Sequence, residues 1–246
     1  MSNVNSYYKN NSIDDKDTSL EQTTESYNSE EYVKVKTEKV KAPEVIFDRF
    51  RINAEFGSGH LVADIDPSAP QEVKTYYEQL KTGTHYSFGG IYFPKKSYGI
   101  GAKFSSFYTK NQMQITVFDF YGNIINGTMK DEISIRYFGA FVAARSLARN
   151  KISGFYFELG FGKTIYENKA MFIDNYTING DKIGIDFTID YDIKVANSLA
   201  IGLGLNYNIA VLDNITVNGR KYVLSGNEKE NISRLNFIVG LRYLIP

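Results

Sequence analysis

Residues 183–193 read IGIDFTIDYDI, and the letters alternate without a slip. Ile183, Ile185, Phe187, Ile189, Tyr191 and Ile193 occupy one phase, and Gly184, Asp186, Thr188, Asp190 and Asp192 the other. Successive side chains of a strand point to opposite faces, so this segment is a strand with one apolar face and one face carrying three carboxylates. Which face meets water decides the fold. A soluble barrel turns its apolar face inward, and a membrane barrel turns it toward lipid.

The same period recurs seven more times between Phe47 and the last residue. The segments are FRINAEFGSG from Phe50, HYSFGGIYF from His85, YGIGAKFSSFY from Tyr98, ISIRYFGAFVA from Ile133, FYFELGFGKTI from Phe155, LAIGLGLNYNIAV from Leu199 and RLNFIVGLRYLI from Arg234. In the fourth, Ile133, Ile135, Tyr137 and Phe141 are assigned to the apolar phase against Ser134, Arg136 and Ala140, with Phe138 out of pattern. Three joints are short, PKKS, SLARNK and VANS, and the other four are long, so the two kinds segregate to opposite rims. Asn-Gly pairs at Asn126, Asn179 and Asn218 mark hairpin turns within long joints, because both central positions of such a turn need positive φ. The first long joint, DPSAPQEVKTYYEQLKTG, has a Ser/Pro start, helix formers and a terminal Gly83, which predicts a short helix.

Composition narrows the function. Lys+Arg 28 balances Asp+Glu 28, so the basic footprint of a nucleic-acid binder is missing. The chain has no cysteine, and its only histidines are His60 and His85, which leaves no thiolate chemistry and no histidine-built metal cluster. No cofactor is expected. Residues 1–46 are polar and short of aliphatic side chains, so they read as a disordered tail preceding a barrel domain over 47–246. The start MSNVNSYYKNNSIDD lacks the apolar core of a signal peptide, so an exported location requires a mature form or a start inside a longer reading frame.

The polar phase carries Arg51, Lys103, Arg136, Arg234 and Arg242 against Glu55, Glu158, Asp186, Asp190 and Asp192, five charges of each sign. A balanced set can pair inside a narrow tube, where an unpaired charge is costly. Glycines share that phase and leave room for long arginines. The apolar phase is almost continuously large, too bulky to fill a barrel interior without overpacking. Turned outward it forms a lipid-facing band, with Tyr92, Tyr98, Tyr137, Tyr207 and Tyr243 at interface levels.

In this pattern the chain resembles the small eight-stranded outer-membrane β-barrels of the OmpA and OmpX kind from Gram-negative bacteria. The resemblance covers about Phe47 to Pro246 and is sharpest at the C-terminus, where Gly240, Tyr243 and Ile245 are similar to the Gly-x-x-aromatic-x-apolar assembly signal of such barrels. Ile238 and the terminal Pro246 depart from that signal. The resemblance implies an all-β, antiparallel up-and-down transmembrane barrel in the bacterial outer membrane. It implies outer-membrane lipid and the barrel assembly machinery as partners.

The expected function is non-enzymatic: a monomer engaging a surface protein or host ligand, or stabilising the envelope, through long outer hairpins. Three rivals stay open. A soluble lipocalin-like barrel predicts an apolar cavity, and a narrow solute channel predicts a conducting lumen. A rim-active hydrolase or acyltransferase predicts His60 facing a carboxylate such as Asp64 or Asp66 beside a nucleophile. Asp186 and Asp192 lie about 20 Å apart along a strand at ~3.3 Å per residue, so they do not share a metal ion, and no metal site is expected.

Overall fold

The structure, a computed structural model, describes residues 47–118, 124–150, 152–172 and 174–246. The N-terminal 46 residues, read above as a tail, lie outside the described residues. The chain runs through β1 (Phe50–Leu61), α1 (Gln71–Lys81), β2 (Thr82–Tyr92), β3 (Tyr98–Phe118), β4 (Ile124–Leu147), β5 (Ser153–Phe172), β6 (Asp174–Ala196) and β7 (Leu199–Ile209). Four short strands follow, β8 (Val211–Leu212), β9 (Asn214–Val217), β10 (Arg220–Val223) and β11 (Glu230–Asn231), before β12 (Arg234–Ile245). Each long strand pairs antiparallel with the next, and β12 closes the ring by pairing with both β7 and β1. The ring therefore has eight strands, β1 to β7 and β12. Closure leaves no edge within the ring.

Outside, every ring strand presents exposed large apolar side chains: Ile52, Phe88, Ile100, Val142, Leu159, Phe187, Leu203 and Leu241 are one from each. So much contiguous apolar surface is foreign to a soluble monomer and suits lipid. The soluble lipocalin-like alternative needs the opposite arrangement.

Strands β1, β2, β7 and β12 have 11 or 12 residues, close to the roughly 9–11 that cross a bilayer, whereas β3 to β6 have 20 to 24. The excess projects at the end opposite the short joints. There α1 packs its Tyr76 and Leu80 with Phe107, Ile133, Ile135, Tyr166, Leu212 and Ile232 into an apolar core that roofs the lumen. A smaller cluster of Ile91, Phe93, Phe141, Ala143 and Tyr156 closes the other end.

These two plugs correct the phase of the fourth strand. Ile133, Ile135, Tyr137 and Phe141 point inward, and Arg136, Phe138 and Val142 point outward. Tyr137, expected at the lipid interface, is buried. The segment is apolar on both phases, so period alone did not orient it. Two of the Asn-Gly signals also fail to turn. Asn126 lies within β4 opposite Thr116, and Asn179 lies within β6 between Glu167 of β5 and Thr216 of β9. Only Asn218 (φ 47°) and Gly219 (φ 84°) adopt the two positive φ values, closing the β9–β10 hairpin. Pairing to neighbouring strands held the other two extended. Gly83 does not cap α1 either; it belongs to β2, and a Cβ there would strike the Phe107 ring.

An arginine introduced at Leu203, in the middle of the outward belt, is expected to destabilise the barrel by about 2–4 kcal/mol in phospholipid vesicles. Thr116→Arg, on the projecting part of β3, is expected to change stability by less than about 0.5 kcal/mol. Denaturant unfolding from vesicles measures both. Equal costs at the two positions contradict the assignment of belt and projection.

Candidate functional site: the charged lumen and the roofed outer mouth

The inward phase of the ring is built around Arg51. Its Nε lies 2.8 Å from Asp192, one Nη lies 2.7 Å from Asp190, and the other lies 3.3 Å from Glu158. The guanidinium also sits 4.4 Å above the Tyr156 ring. Lys103 continues the cluster, 2.7 Å from Glu158 and 3.0 Å from Asp186, and donates to Thr188 at 2.7 Å. Arg242 completes it, 2.8 Å from Glu55 and 3.3 Å from Asp192. Asn206 donates to the second oxygen of Asp186 at 2.8 Å, and Ser87 donates to Glu55. Most of the carboxylate oxygens are thus met by a cation or an amide.

Arg234 is buried in the same lumen but, among the described residues, has no carboxylate in contact; it donates to Asn208 at 3.2 Å and to Ser105 at 3.3 Å. Arg136 is a correction. It stands on the outer face, exposed, 3.3 Å from Glu167. The lumen accordingly holds four of the five expected cations, all five carboxylates, and also the buried His85. Glycine makes the crowding possible. A Cβ on Gly202 would collide with Asp192 and one on Gly204 with Asp190, so the strand facing β6 must be bare where the aspartates reach across.

At the C-terminus, Tyr243 and Ile245 point outward, and Gly240 faces inward, where a Cβ would meet an Arg242 Nη at 2.5 Å and Glu55 Cγ at 2.9 Å. Gly240 therefore has a packing reason of its own.

Four residues of the outer mouth were absent from the expectations. Asp131 accepts from the Tyr76 phenol at 2.7 Å and from the Asn168 amide at 2.5 Å, tying α1 to β4 and β5. Burial beside that carboxylate pushes the Tyr76 phenol well above its usual range. Glu230, in β11, lines the same mouth. Asp131 keeps step with Ile133 and Ile135, and Asn168 with Tyr166, so the signal that turns both inward is the strand alternation continued beyond the apolar runs that start at Ile133 and end at Ile165. His60 lies on the outer face of β1 with its Nδ1 3.2 Å from the Thr82 hydroxyl. Among the described residues no three His, Asp or Glu side chains are grouped to hold a metal ion.

Removing one partner of a buried charge cluster strands the others. Arg51→Met is expected to cost about 3–5 kcal/mol of unfolding free energy, because Asp190, Asp192 and Glu158 lose their shared cation. Reversible denaturant titration followed by heat-dependent gel migration reads the loss. A cost below 1 kcal/mol contradicts a cooperative network.

No protein-family model matches the chain, and no curated protein matches it in sequence. Solved structures of small outer-membrane barrels do align with it. Neisserial surface protein A (NspA) is 11% identical, with 79% of this chain and 96% of that chain covered and a TM-score of 0.46. Ail, the attachment invasion locus protein of Yersinia pestis, is 11% identical, with 81% and 100% covered and a TM-score of 0.46. The outer membrane protein OprG from Pseudomonas aeruginosa is 12% identical, with 80% and 96% covered and a TM-score of 0.46. The chain resembles small outer-membrane β-barrels, and its own closed strand pairing carries the eight-stranded architecture.

Proposed function

We propose that the chain is a non-enzymatic outer-membrane barrel that carries a rigid sheet outside the bilayer and engages a surface protein or host ligand by adding a strand to that sheet. The observation that carries this reading is the free edge of β3. Beyond Tyr108, which pairs with Thr84, β2 no longer accompanies β3, and from Gln112 to Phe118 β3 pairs, among the described residues, with β4 alone. An unpaired row of backbone donors and acceptors is a template for another strand.

The two edges of the projecting sheet differ in how they are guarded. β10 ends the other side and carries Arg220 and Lys221, the cationic protection that discourages edge-to-edge pairing. Past the exposed Lys110, the β3 edge instead presents the uncharged Gln112, Gln114 and Thr116. An interior filled by paired side chains supports a surface role over a conducting one. Among the described residues His60 meets the Thr82 hydroxyl and no carboxylate, so the orienting acid that a rim base requires is not beside it, which supports the same choice over rim catalysis. The outward Tyr243 and Ile245 support recognition by the barrel assembly machinery.

Replacing residues 115–127 by Asn-Gly joins Gln114 to Thr128, which already face each other across the β3–β4 ladder. The trimmed protein is expected to fractionate with outer membranes and to keep heat-modifiable gel migration. Gram-negative cells displaying it are expected to lose the binding to epithelial layers and matrix-coated surfaces that the full chain confers. Undiminished binding by the trimmed, folded protein overturns the role of the β3 edge. A soluble, detergent-independent monomer overturns the membrane assignment itself.

A further inference from the structure

The rim at the short-joint end is assembled from residues 47–50, the three short joints and the end of β12. Backbone hydrogen bonds carry the ladder past the strand ends and tie these pieces into one collar. The Arg49 N–H donates to the Ile245 carbonyl at 2.7 Å, Phe93 to Arg49 at 2.7 Å, Arg145 to Ser97 at 2.8 Å, Lys194 to Ile152 at 2.7 Å and Leu244 to Ser198 at 2.8 Å. Arg145 locks the joint between β2 and β3 from inside: its guanidinium lies 3.9 Å over the Phe93 ring, and its Nε donates to the Lys96 carbonyl at 2.6 Å. The joints are therefore held in fixed positions.

The collar is of one sign. In sequence the stretches 47–50, 92–98, 145–153 and 193–199 hold seven basic side chains and a single acidic one, Asp48. Asp48 is already taken, 2.6 Å from Lys194. Lys95, Lys96 and Arg149 are exposed and form no ion pair among the described residues. Cations nearer the projection are provided for differently: Arg136 meets Glu167 at 3.3 Å, Lys163 meets Asp181 at 3.1 Å and Lys182 meets Asp213 at 2.5 Å. Exposed rings border the collar on its belt side. Phe50 lies 4.9 Å from Tyr92 and Phe155 lies 4.8 Å from Tyr191, centroid to centroid, and Tyr98 is exposed as well. Aromatic girdles mark the level where hydrocarbon meets headgroups. Lys95, three residues beyond Tyr92, and Lys96, two residues before Tyr98, therefore stand among the phosphates.

We propose that this collar binds the headgroups of anionic phospholipids in the leaflet that it meets. The inference rests on the outer-membrane reading of the barrel and not on strand addition at β3, which takes place at the opposite end. Lys95, Lys96 and Arg149 supply charge-assisted N–H donors to phosphate oxygens, and the lipid supplies the counter-charge that the joints leave out. A zwitterionic headgroup carries its own ammonium and cancels much of the attraction; an anionic one does not. Because the backbone of the collar is fixed in advance, only side chains are ordered when lipid arrives, which lowers the cost of binding. A basic rim standing clear of the headgroups suits an acidic protein instead, but the aromatic girdle beside these joints sets them at the lipid surface.

The chain has no tryptophan, so a single one introduced at the rim reports on its own lipid neighbours. Tyr98→Trp places the reporter beside the collar, and Phe161→Trp, in a second protein, places it two residues before the ion-paired Lys163. Each full-length protein is folded into vesicles of phosphatidylcholine and phosphatidylglycerol in equal amounts, with one lipid or the other brominated as the quencher. At position 98 phosphatidylglycerol is expected to be favoured about fivefold, the ratio that one cation at a membrane surface contributes toward anionic lipid, and at position 161 neither lipid is favoured. Raising the salt from about 0.05 M to about 0.5 M is expected to shrink the preference as the screening length shortens. Lys95→Gln, Lys96→Gln and Arg149→Gln together, in the Tyr98→Trp background and in protein that keeps heat-modifiable migration, are expected to abolish it. Equal quenching by the two lipids at position 98, an equal preference at both reporters, or a preference that survives the triple substitution or high salt overturns the collar while leaving the barrel in the membrane. Quenching by neither lipid at either position overturns the membrane reading and the collar with it.

Discussion

The constraint on which the structure rests is that a strand surrounded by hydrocarbon has nowhere to send its backbone hydrogen bonds except to another strand. The pairing of β12 with β1 satisfies it, with Phe50 opposite Ile245 at one end of the ladder and Leu61 opposite Arg234 at the other. Once the ring is closed, side-chain period does the rest. One phase must suit lipid and the other must fill a tube just wide enough for side chains. Arg51, Lys103 and Arg242 enter that tube only because carboxylates from β1, β5 and β6 are aligned by the same ladder to receive them. The glycines of β7 and β12 are the spaces those long side chains occupy.

Burying so many ions is not an economical way to stabilise a protein, since each is removed from water before it meets its partner. What the arrangement does supply is registration. A one-residue slip of β1, β6 or β12 turns its charges to lipid and its large apolar side chains to the lumen, which neither environment accepts. Salt pairing and strand register thus enforce one another across the lumen, as when Asp190 and Asp192 of β6 reach Arg51 of β1.

The sequence was readable where one phase was purely apolar and the other purely polar. β6 is such a strand, and the placing of Phe187 outward and Asp186 inward followed from the letters. β4 is not, because Tyr137 and Phe138 are neighbours and Phe141 is followed by Val142. Its orientation depended on the two apolar plugs, which are assembled from distant segments, and Arg136 was misplaced with it. The Asn-Gly signals show the same limit in a turn. The local preference at Asn179 is real, yet β5 on one side and β9 on the other hold it extended, and neither neighbour is visible from the tetrapeptide. The mouth was least legible, since Tyr76, Asp131 and Asn168 meet from three elements far apart in the chain.

The overshoot of β3 to β6 has a mechanical consequence. These strands run from the belt into the projection without a break, so the outer sheet has no hinge on which to swing as a separate body. A pull on its tip is transmitted along the ladders of β3 with β4 and of β5 with β6 and is resisted in shear, many hydrogen bonds sharing the load at once. An anchored protein built in this way couples whatever its surface holds directly to the bilayer, as a stake and not as a tether.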